Sequence, residues 1–150
     1  MPDKQTLERA QEDAREGKAP STQAGEFVKE EMDHIREGKH GAASTKQAIA
    51  IGLSKARRAG VKLPPPKSGT TSAATRRKAA SDTRKGKSPA KKTSAKRSRA
   101  TTNALKREPR SAASRSALSK QAKTSARQRG SAARKQAAKK AARTRQRSSR

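Results

Sequence analysis

Two histidines, His34 and His40, stand six residues apart among Glu30, Glu31, Asp33 and Glu37, and they are the only imidazoles in the chain. Imidazole beside carboxylate is the material of proton transfer and of divalent-metal binding. This spacing matches no established ligand pattern, and the carboxylates read as charges on a helix surface. The sequence therefore assigns no metal and no cofactor. Cysteine is absent, which excludes thiolate catalysis, disulfides and cysteine-based zinc sites. There is no paired nucleophile and base and no glycine-rich phosphate loop. The chain reads as a non-enzyme.

The chemistry that the sequence offers in quantity is phosphate neutralisation. Residues 64–150 contain 28 Lys or Arg against two acids, Asp82 and Glu108, whereas residues 1–63 hold 12 basic and 10 acidic side chains. The basic half has only two large aliphatic residues, Leu105 and Leu118, and no aromatic ring. So little apolar surface cannot offset the entropy of ordering a chain, so the composition predicts intrinsic disorder there. Such a segment binds dense polyanions, duplex DNA first and RNA second, by counterion release. The only aromatic residue, Phe27, leaves no platform for stacking single-stranded bases, which favours duplex DNA. The residues expected to contact nucleic acid are Lys46, Lys55, Arg57, Arg58, Lys62, Arg76, Arg77, Lys78, Lys91, Lys92, Lys96, Arg97, Arg134, Lys135, Lys139, Lys140 and Arg143.

Positioning elements are legible in the first 63 residues. Arg15-Glu16-Gly17-Lys18 precedes Ser21-Thr22, and Arg36-Glu37-Gly38-Lys39 precedes Ser44-Thr45. Each copy places a glycine where a helix stops and a serine where the next begins. The implied helices span about 3–16, 22–37 and 45–59. The second carries Ala24, Phe27, Val28, Met32 and Ile35 on one stripe, and the third gathers Ala48, Ile49, Gly52, Leu53, Ala56 and Ala59 on one arc. Ser44 with Gln47 has capping-box spacing. The two stripes are expected to meet as an αα-hairpin, with self-association of this small core as an alternative use. A looser reading takes the third helix as the reading helix of a helix-turn-helix.

Pro64-Pro65-Pro66 marks a stiff spacer. The expected architecture is a small all-α module of two or three short helices over 1–63, a spacer at 64–66, and a long intrinsically disordered basic tail over 67–150. Two Ala-rich tail pieces, about 111–129 and 131–145, are expected to become helical only when phosphate neutralises them.

The stretch from Ser21 to Pro66 carries a more specific pattern. Glu26-Phe27-Val28-Lys29-Glu30-Glu31, His34-Ile35-Arg36-Glu37-Gly38-Lys39-His40-Gly41 and Ser44-Thr45-Lys46-Gln47-Ala48-Ile49-Ala50-Ile51-Gly52-Leu53 resemble a small bacterial domain family of unknown function, numbered 6496. The resemblance implies a bacterial source and a helical module often joined to basic tails, and it implies no activity. In composition the basic half resembles linker-histone tails, including one Ser-Pro-x-basic turn at Ser88-Pro89-Ala90-Lys91-Lys92.

The expected function is non-catalytic, largely sequence-nonspecific DNA binding of the histone-like, nucleoid-associated kind. An RNA- or ribosome-associated factor and a protein-interaction adaptor built on the hairpin are the alternatives. The N-terminus lacks a secretory h-region and no run is long enough to span a membrane, so the expected location is cytoplasmic, on the nucleoid.

Overall fold

Helix-stopping chemistry sets the first elements. At Gly17 and Gly38 the backbone turns left-handed, with φ of 71° and 78°, which glycine adopts without the Cβ clash of other residues. Lys18 N–H then donates to the Asp13 carbonyl at 2.8 Å and Lys39 N–H to the His34 carbonyl at 3.0 Å, while each glycine N–H reaches the carbonyl three residues back. These are Schellman closures. They end helix α1 (Lys4–Arg15) and helix α2 (Pro20–Arg36), and the same pair of bonds at Gly60 and Val61 follows helix α3 (Thr45–Arg58). Helix α2 opens on Pro20 with Ala19 as its cap, so Ser21 lies inside the first turn and does not cap it; proline is preorganised for that first position. Helix α3 opens on Ser44, whose hydroxyl accepts from Gln47 N–H at 3.2 Å while Gln47 Oε1 accepts from Ala43 N–H at 2.6 Å.

The structure is a computed structural model that describes residues 2–88 and 94–148. Three further helices follow, α4 (Ala73–Gly86), α5 (Ala95–Lys106) and α6 (Arg115–Ser148), with one 3-10 turn, Arg110–Ala113, before α6. Contacts divide the chain into two units, Met1–Ser114 and Arg115–Arg150.

In the first unit α3 is the central helix, packed against α2, α4 and the 3-10 turn, while α1 packs on α2. Phe27, Ala10, Ala24, Ala56 and Val61 form a buried cluster, with Leu7, Leu53 and Leu63 packed against it. Ile35 and Met32 are buried as well. Helices α2 and α3 approach closely at Gly52, where a Cβ would come within 2.7 Å of Val28 Cα.

The expected disordered tail over 67–150 is corrected here. Helices continue through α4, α5 and α6, and the first compact unit runs past Pro64-Pro65-Pro66 to Ser114. The count of large aliphatic residues misled because small residues do the packing. Ala79, Ala112 and Ala113 are buried, and each lets backbones meet at short range. A Cβ at Gly86 would collide with the Arg57 carbonyl, and one at Gly41 with the Glu108 carbonyl. Polar bonds do the rest. Asp82, 1% exposed, accepts from Ser54 Oγ at 2.8 Å and from Arg58 Nε at 2.9 Å. Gly41 N–H donates to the Leu105 carbonyl, Ala42 N–H to that of Pro109, Thr45 Oγ1 to that of Ala112 and Arg36 Nε to that of Ala113.

Helix α6 forms the second unit. Its sequence lacks proline and is rich in alanine and arginine, both strong helix formers. Gly130, with φ 73° and ψ 171°, breaks it into two helical segments.

Candidate functional site

The expected nucleic-acid contacts fall into three groups. Lys46 and Lys62 are exposed, as are Arg77 and Lys78 on α4 and Lys96 and Arg97 on α5. Arg76 is half-buried and donates to Ser68 Oγ at 3.2 Å. Arg134, Lys135, Lys139, Lys140 and Arg143 are all exposed on the second segment of α6. Lys91 and Lys92, with most of the Ser-Pro turn, lie outside the described residues.

The third group turns inward. Lys55 pairs with Glu30 and Glu31, and Arg57 is 7% exposed, donating from Nη2 to the Pro64 carbonyl at 3.4 Å, whereas Arg58 pairs with Asp82 but stays exposed. Burial pushes the Arg57 guanidinium below its usual range, with Asp82 opposing. Helix α3 packs against α2, α4 and the 3-10 turn, and keeps Lys46 and Arg58 exposed.

Helix α6 holds more cations than the sequence reading selected. Between Arg115 and Ser148 there are twelve Lys or Arg and no Asp or Glu. Arg115, Lys120, Lys123, Arg127, Arg129, Arg145 and Arg147 were not singled out. A helical register would have found them, since Lys120, Lys123 and Arg127 share one face. On the second segment Lys139, Lys140, Arg143 and Arg147 line a shallow groove with Gln136 and Thr144.

A second site is built inside the first unit. Glu31 occupies the middle of the apolar stripe of α2, four residues from both Phe27 and Ile35, and is fully buried; neighbouring Glu30 is 5% exposed. Both were read as surface charges, and the structure corrects that; the helical spacing was the overlooked signal. Lys55 reaches across from α3, its Nζ 3.0 Å from Glu30 Oε1 and 2.7 Å from Glu31 Oε2. The other Glu30 oxygen accepts from Asp3 N–H at 3.1 Å. Burial pushes the Glu30 carboxyl up, but hydrogen bonds from Lys55, Asp3 and Thr6 outweigh it and leave the group below its usual range. Burial likewise opposes the Lys55 ammonium, and its two carboxylate partners hold it above its ordinary value.

The histidines close this cluster. His40 Nε2 lies 3.2 Å from Glu31 Oε1, and His34 Nε2 lies 3.1 Å from Asp3 Oδ2. The two rings meet edge to face with centroids 6.2 Å apart. The hydrogen bond from His34 holds the Asp3 carboxyl below its usual range. Among the described residues, Glu31, His34 and His40 bring donor atoms within 4.8 Å of one another, as do Asp3, Glu30 and His34.

No helix among the described residues is long and apolar enough to cross a membrane. No curated protein and no solved structure gives a match to the chain. Residues 19–67 do match a family model, and that stretch spans α2, α3 and the whole cluster apart from Asp3 and Thr6. By that match, this part of the chain is similar to a family of unknown function, DUF6496.

Proposed function

We propose that the protein is a non-catalytic, largely sequence-nonspecific binder of duplex DNA, working through exposed cationic helices, on the nucleoid of a bacterial cell. The observation that carries this reading is α6, with twelve basic side chains and no acid along the 34 residues of its two helical segments and the Gly130 break. Helix α4 adds Arg77, Lys78, Arg84 and Lys85, all exposed. Cations at this density bind phosphate by releasing condensed counterions, and they position a protein on a duplex without reading its bases.

Duplex is favoured over single strands by what the chain lacks. It has no Trp or Tyr, and its one aromatic residue, Phe27, is 0% exposed in the core. Base stacking on aromatic rings is therefore not available to it. Contacts through Lys55 and Arg57 are withdrawn from this reading, since those groups serve the interior, while Arg58 stays exposed beside Asp82.

The test is the triple variant K139Q/K140Q/R143Q, measured by fluorescence anisotropy on duplex DNA and on a structured RNA competitor at matched salt. Affinity should fall by the same factor on every duplex, and the salt slope should become shallower by roughly 2–3. Unchanged affinity would remove α6 from the interface. Preference for the RNA competitor would assign the same charge to a ribosomal or RNA partner.

A further inference from the structure

We propose that Glu31, His34 and His40, with Asp3 bonded to His34, form a binding site for one divalent transition-metal ion of the zinc type. The site ties the start of α1 and the loop after α2 to α2 itself.

The first argument is the hydrogen bonding of His40. Its Nδ1 lies 3.0 Å from the Gly41 carbonyl oxygen, which can only accept, so Nδ1 carries the proton. In the neutral ring Nε2 then holds a lone pair, and it faces Glu31 Oε1 at 3.2 Å. Such a contact takes a cation, supplied either by a second ring proton or by a metal ion between the two atoms. A backbone carbonyl on the far nitrogen is also how proteins orient a metal-binding histidine.

Glu31 supplies a second, independent argument. Its side chain is 1% exposed and lies beyond the reach of water. Neither oxygen receives an aligned hydrogen bond, although Lys55 stands 2.7 Å from Oε2. A buried carboxylate without such bonds is costly. Lys55 compensates one oxygen in charge, and Oε1 remains directed at the histidines.

Geometry and charge agree. Zinc bonds of roughly 2.0–2.1 Å in a tetrahedron place neighbouring donor atoms about 3.4 Å apart. The separations here are 3.2 Å for His40 and Glu31 and 3.1 Å for His34 and Asp3, and the donor atoms of Glu31, His34 and His40 all lie within 4.8 Å, close enough for an ion to draw them in. Asp3, Glu30 and Glu31 bring three negative charges and Lys55 one positive, a remainder that either a dication or protonation of the two histidines would balance. The exposed Lys39 nearby is paired with Glu37 at 3.0 Å. Glu31-Met32-Asp33-His34 also puts a carboxylate and an imidazole three residues apart on one helix face. Two imidazoles with two carboxylates suit zinc and its neighbours better than calcium or magnesium.

The experiment uses the full chain, nuclease-treated and freed of metal with a chelator that is then removed. Cobalt(II) is titrated in and visible absorption recorded, followed by zinc(II). The site predicts saturation at one cobalt per chain, with the intense d–d band of a four-coordinate ion, bleached by one equivalent of zinc. H34A and H40A should each weaken zinc binding at least 100-fold in chelator competition. D3N, at an exposed position, should weaken it less and leave the circular dichroism spectrum unchanged. Absence of saturable cobalt binding by the folded native chain overturns the proposal whatever the variants do. So does a weak octahedral spectrum, or zinc affinity retained in the H34A/H40A double variant.

Discussion

Asp82 is one of only two acids in the last 87 residues, and it is 1% exposed. Its burial works against its charge, but Ser54 and Arg58 donate to it and Lys78 adds a favourable field, so its carboxyl is held below its usual range. The sign of the consequence follows. Asp82 and Glu30 both titrate below their ordinary values of 3.8 and 4.5. The stability they contribute is complete above those values and is lost as pH falls through the lower folded ones. Replacing Asp82 with Asn should cost roughly 1–3 kcal/mol at neutral pH, because a buried acceptor of two hydrogen bonds is exchanged for a poorer one. The variant should also lose less stability than the native chain on acidification below pH 4. Urea melts at pH 7 and pH 3 measure both effects, and equal acid sensitivity would contradict the assignment. In the sequence Asp82 is visible only as an oddity among cations. Its meaning depends on Ser54 and Arg58, more than twenty residues away, which no local pattern connects to it.

At the scale of elements, the helices of the first 60 residues were legible because their stops and starts are local. Gly17 and Gly38 let Lys18 and Lys39 close helices with bonds to carbonyls five residues back, and Ser44 caps α3 through a residue three positions on. Docking of α4 and the 3-10 turn was not legible. It rests on Ala79, Ala112 and Ala113, and on glycines whose missing Cβ admits a distant backbone. Hydrophobic counting sees neither. Gly52 shows how such a contact outweighs local preference. Alanine there would favour the helix by about 1 kcal/mol, yet its Cβ would press to 2.7 Å from Val28 Cα and 3.0 Å from the Phe27 carbonyl. Backbone cannot yield as a side-chain tip does, and overpacking costs roughly 1–3 kcal/mol. Gly52→Ala should therefore destabilise the protein in thermal unfolding. A raised melting temperature would show that α2 and α3 lie further apart than described.

The whole molecule divides its charge by role. In the N-terminal part, where acids and bases nearly balance, carboxylates and histidines are gathered into a cluster around buried Glu30 and Glu31, and Lys55 is spent neutralising them. Beyond residue 63 nearly all side-chain charge is positive, and apart from Asp82 and Arg110, which lines a groove with Glu108, little of it is used in packing. Net charge of +28 was readable at once and carries the proposed function. Which cations serve the surface and which the interior was not readable, because Lys55 and Arg57 look like their exposed neighbours until α2 and α4 are in place. The most direct test is the salt dependence of binding by the native chain to two duplexes of unrelated sequence, followed by anisotropy from low to moderate salt. Log affinity should fall linearly with log salt, by roughly 0.9 for each phosphate neutralised, with one slope and one affinity for both duplexes. Affinity that ignores salt, or that favours one duplex by roughly 1,000-fold or more, would contradict a binder that acts through charge alone.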